Sequence, residues 1–94
     1  SSFSMPKKKK NIEERVTEVY NRLKGYFTGN KGEKRVSFLR MSENKREEKI
    51  NMFPNLIHLD HQKKIWLEQN NHLEDFHIWL SETFHEHNPD PFAD

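Results

Sequence analysis

Between Lys45 and Leu80 the spacing of apolar residues changes period once, and that change limits what the chain can fold into. Up to Asp60 they recur at three- and four-residue steps, Ile50, Phe53 and Ile57 in one row and Met52, Leu56 and Leu59 in the next, as on a helix. From Ile65 they alternate: Ile65 and Leu67 against Trp66 and Glu68, then Phe76, Ile78 and Leu80 against His77 and Trp79. A period of two is that of strands, and the polar run Asn70 to Glu74 reads as the loop of a hairpin. A helix followed by one hairpin does not make a core, so the missing half lies upstream.

Upstream, Ile12, Val16, Val19, Tyr20, Leu23, Tyr26 and Phe27 share one face and predict a helix over Asn11 to Phe27. Asn11 with Glu14 fits a capping box, and Gly29, Asn30 and Gly32 mark a turn after it. Arg35 to Phe38 alternates as a short edge strand leading into a brief second helix with Leu39 and Met41. Asn44 with Glu47 matches a second capping box, which starts the third helix. Pro54 inside that helix lacks an amide donor and presses on the carbonyl of Ile50, so a kink is expected. Taken together, the order predicts an α+β fold of the winged helix-turn-helix type, with three helices and a small antiparallel sheet ending in a wing hairpin.

With 32% hydrophobic and 33% charged residues, apolar positions are scarce, so those in register are expected to form the core. They are Val16, Val19, Leu23, Val36, Phe38, Ile50, Phe53, Leu56, Ile65, Leu67, Phe76 and Ile78. The expected organisation is a tag remnant and basic arm over 1–10, one folded domain over 11–80 and an acidic tail over 81–94. Absence of cysteine excludes disulfides and thiolate metal sites. No apolar run approaches the roughly 18 residues needed to span a bilayer. A soluble chain, compatible with the cytoplasm and without a membrane partner, is the reading.

Six histidines raise the question of a metal, and His58 and His61 lie three apart on a helix. Zinc needs three or four converging ligands, and nothing in the sequence provides a third, so neither metal nor cofactor is expected. No nucleophile, base and orienter pattern stands out, and no enzyme is read. The choice lies between DNA and protein as partner. Residues 1–49 carry net +7 and residues 50–94 net −6, and the loop Asn70 to Asp75 has two carboxylates and no lysine or arginine. Carboxylates beside a phosphate backbone are repelled, which favours protein over DNA. Trp66 and Trp79 share the outer sheet face and are candidate partner anchors, unless the tail folds back and covers them with Phe84 or Phe92.

The run REEKINMFPNLIHLDHQKKIWLEQNNHLEDFHI resembles the C-terminal winged-helix domain of the prokaryotic kleisins, the ScpA (segregation and condensation protein A) family of the Smc condensin complex. In that family an apolar helix leads to a strand ending in Glu-Gln, a short wing and an Asp-Ile-type return strand. Glu68-Gln69 and Asp75-Phe76-His77-Ile78 stand in those places, and IEERVTEVYNRL and RVSF match the preceding helix and strand. Thus the likeness covers Ile12 to Leu80. It departs from the family at Met52-Phe53-Pro54-Asn55, where an apolar run is usual, and the kleisins are much longer chains. It implies a non-enzymatic, nucleoid-associated clamp that docks on the Smc ATPase head and reaches DNA only through the complex. ScpB would be recruited by parts of the full-length protein outside this chain. Contact through the third helix points to Met52, Phe53, Leu56 and Ile57, beside Trp66 and Trp79.

Overall fold

A computed structural model describes residues 10–69 and 75–92. The loop expected at Asn70 to Glu74 and nearly all of the basic arm lie outside them. The described residues form an α+β unit: α1 (Ile12–Gly29), β1 (Val36–Ser37), α2 (Phe38–Met41), α3 (Arg46–His61), β2 (Ile65–Gln69), β3 (Phe76–Leu80) and α4 (Ser81–His87). Among them are four helices, one more than the sequence predicts.

Helix α1 starts where its capping box places it, with Asn11 Oδ1 accepting from the Glu14 amide at 2.8 Å. That bond satisfies one of the amides a first turn leaves without an intrahelical partner. Strand β1 is shorter than expected because Ser37 caps α2: its Oγ accepts from the Arg40 amide at 3.0 Å and draws Phe38 into the helix. The second capping box does not form. Glu43 and Asn44 both take left-handed φ values, 54° and 55°, to turn the chain from α2 into α3. The Asn44 amide is used there, donating to the Leu39 carbonyl at 2.8 Å. Lys45 therefore occupies the N-cap of α3 without a side-chain cap bond.

The sheet is antiparallel with order β1-β3-β2. Ile65 pairs with Leu80 and Leu67 with Ile78 on one face, Trp66 with Trp79 and Glu68 with His77 on the other. That is the division the alternation predicts, because a strand sends successive side chains to opposite faces. Helices α2 and α3 pack on the first face and α1 packs on α3 in the same core, while α4 packs against β2 and β3.

The core holds Val16, Val19, Leu23, Val36, Phe38, Met41, Met52, Leu56, Leu59, Ile65 and Ile78, with Leu67 and Phe76 packed partly buried against it. Two expected core residues are not in it: Ile50 is 59% and Phe53 45% exposed. The reason is the rotation of α3. Its Met52, Leu56 and Leu59 row, spaced i, i+4, i+7, is the one turned inward, and all three are at most 1% exposed. Pro54 falls on the exposed side, and α3 continues through it as one helix. The missing amide of Pro54 leaves α3 one backbone bond short, at a cost of roughly 3 kcal/mol.

Candidate interaction surface

Two aromatic clusters flank the sheet. The first joins α2, α3 and β3. Phe38 and Phe76 stack with ring centroids 4.7 Å apart and planes at 14°, and Phe53 stands edge-on to both, at 6.1 and 5.9 Å. Such offset and edge-to-face geometries are the favoured ones for aromatic rings and hold Phe53 in place at the surface. Ile57, Leu67, Gln69 and Asp75 complete a groove of about 390 Å³. Asp75 Oδ1 accepts from the Leu39 amide at 3.2 Å and the Phe76 amide at 2.9 Å, pinning the start of β3 against α2. This groove offers apolar contact, continued along α3 by the exposed Ile50.

The second cluster lies on the outer sheet face. Phe84 of α4 stacks on Trp66 at 4.2 Å and 12°, and meets Trp79 edge-on at 5.5 Å. His85 and His87 add edge contacts to Trp66 and Trp79, each at 6.3 Å. Trp79 Nε1 donates to Glu68 Oε1 at 3.3 Å, and the same oxygen pairs with Arg35. A buried indole N–H thereby finds the acceptor it needs.

These placements divide the sequence-predicted contact residues. Met52 and Leu56 are interior, at 1% and 0% exposure, and no partner reaches them in the folded chain. Trp79 is 7% exposed, covered by Phe84, so the tail takes the covering role left open in the sequence. Phe53, half-buried Ile57 and the 42%-exposed Trp66 retain accessible surface. Phe38, Leu67 and Phe76, expected in the core, prove to be also the floor of the groove. Their strand and helix spacing marks them as inward-facing; nothing local marks that the core is open above them.

His58 and His61 are exposed, and among the described residues no three histidine, aspartate or glutamate side chains converge as metal ligands. Tyr26 titrates above its ordinary 10.0, first because burial disfavours phenolate and then because its hydroxyl donates to the Glu33 carboxylate. No helix among the described residues is long and apolar enough to cross a membrane. No protein-family model, curated protein or solved structure matches this chain.

Proposed function

We propose that this chain is a winged-helix protein-interaction domain of an Smc-associated kleisin. It is non-enzymatic, docks on the Smc ATPase head and helps close the condensin ring that serves chromosome segregation and condensation. DNA is engaged indirectly, through the complex, and ScpB by parts of the full-length protein outside this chain. One observation carries the reading: α3 turns Ile50 and Phe53, with half-buried Ile57, to the surface beside the Phe38–Phe76 stack, where a DNA-reading helix would present polar and basic side chains. An aromatic residue fixed by neighbouring rings at the centre of an apolar groove suits a protein hot spot. Support comes also from the element order and from a sheet in which β3 lies between β1 and β2. The basic start of α3 is partly used internally, with Lys45 paired to Glu43 at 3.0 Å.

Calorimetric titration against an isolated Smc head tests the proposal. Binding at about 10 µM or tighter, lost in Phe53→Ala while the fold persists, is expected. A folded chain that leaves the head unbound, yet recognises a specific duplex after deletion of Lys7 to Lys10, would instead identify a winged-helix DNA-binding transcriptional regulator.

A further inference from the structure

Away from the α3 face, Lys24, Lys63 and Lys64 converge on a groove of about 680 Å³ between α1 and the turn joining α3 to β2. Its apolar walls are Tyr20, Phe27 and Leu80. The Lys24 and Lys64 ammonium groups lie 5.0 and 5.4 Å from the centroid of the same Tyr20 ring. Among the described residues no carboxylate lies within ion-pair distance of any of the three lysines, although Glu82 borders the groove. Like charges brought together without counter-charge repel, and the shared ring face offsets only part of that. An aromatic slot rimmed by unneutralised ammonium groups is complementary to an apolar side chain flanked by carboxylates.

Such a segment occurs at the other end of the chain. Phe92 is 92% exposed, and Asp90 Oδ1 accepts from its amide at 2.9 Å, closing a small turn that presents the ring. Glu86 and Asp90 precede it and Asp94 comes after it in sequence. We propose that the lysine-rimmed groove receives the Asp90–Phe92 segment of a second copy of this chain, with the Phe92 ring between Phe27 and Leu80 and Asp90 facing Lys63 and Lys64. The exchange is between copies because a chain's own Phe92 is 92% exposed and is not among the residues that line its own groove. Reciprocal exchange about a two-fold axis, each copy giving its acidic segment to the other's lysines, closes the contact as a dimer. The contact is separate from the Phe53 groove and stands whether or not that groove binds an Smc head.

Sedimentation equilibrium of the full chain from about 10 µM to 1 mM, at about 50 and 500 mM salt, tests it. Concentration-dependent dimerisation that weakens at the higher salt is expected. Phe92→Ala should weaken it by about 10-fold or more, as removing one buried phenylalanine from an interface does, without moving the melting temperature of the dilute monomer. K63E/K64E should weaken it similarly, and adding D90K to that variant should recover much of the loss. Association unchanged by Phe92→Ala overturns the proposal. So does a chain that stays monomeric to 1 mM, including one in which the tail closes on its own groove.

Discussion

The sheet has an aromatic cluster on each side, and they end differently. On the outer face Trp66 and Trp79 are met by Phe84 from the same chain, whereas on the helical side Phe53 leans over the Phe38–Phe76 stack with nothing from the described residues above it. In sequence both look alike, as large apolar residues at regular spacing. The difference lies in how the chain leaves each: β3 runs directly into α4, which returns an aromatic side chain to the sheet, while α3 passes through a turn at Gln62 and Lys63 into β2, whose Leu67 and Gln69 line the groove. Among the described residues, local connectivity covers the outer face and supplies no such cover for the Phe53 groove.

An exchange of the two rows of α3 would undo this contrast most completely. Leu56→Ala, at a fully buried position, should cost about 2–5 kcal/mol of stability, read as a lower midpoint in urea unfolding. Phe53→Ala should cost under about 1 kcal/mol of stability yet about 2 kcal/mol or more in binding to an Smc head, a separation that only a surface anchor produces. Next in size is the lid. Phe84→Ala should remove about 1–2 kcal/mol and shift tryptophan emission to longer wavelength as Trp66 and Trp79 meet water; an unshifted spectrum would mean that α4 does not cover them. The smallest effect belongs to Tyr26, outside both clusters. Its folded-state pKa is raised, so its contribution is fully present below pH 10.0 and is lost as pH rises through the higher folded value. Alkaline melting curves should show that loss in the parent chain and not in Tyr26→Phe.

Much of the fold is legible in the sequence because the signals are local. Alternation alone divides β2 and β3 into the faces they present, and Asn11 with Glu14 locates the start of α1. Asn44 with Glu47 carries the same kind of signal and fails, because the turn from α2 requires left-handed backbone at Asn44 and its amide is taken by Leu39. The rotation of α3 is not legible either. Both of its rows are apolar at helical spacing, and the choice between them is made by α1 and the sheet, far away in sequence. Hence the expectation of Met52 at the surface and of Ile50 in the core is the reverse of their burial; of the two residues expected in both roles, Leu56 serves only the core and Phe53 stands 45% exposed. That the tail covers the sheet with Phe84 or Phe92 is an option left open in the sequence; that Phe84 does so from a folded helix is hidden because Ser81 to Asp94 is polar in composition.

Pro54 has a consequence for recognition beyond its effect on the helix. Having no N–H, it leaves the carbonyl of Ile50 without the donor that every other interior turn supplies, and it does so on the outward side, between Ile50 and Phe53. An apolar row by itself tolerates sliding, since one methyl group serves about as well as the next. The rigid, exposed Pro54 ring, pressed on the Ile50 carbonyl, interrupts the row at one place, and a docked chain meets it at that place alone. The residue that weakens α3 as a helix thus marks one position along its exposed face.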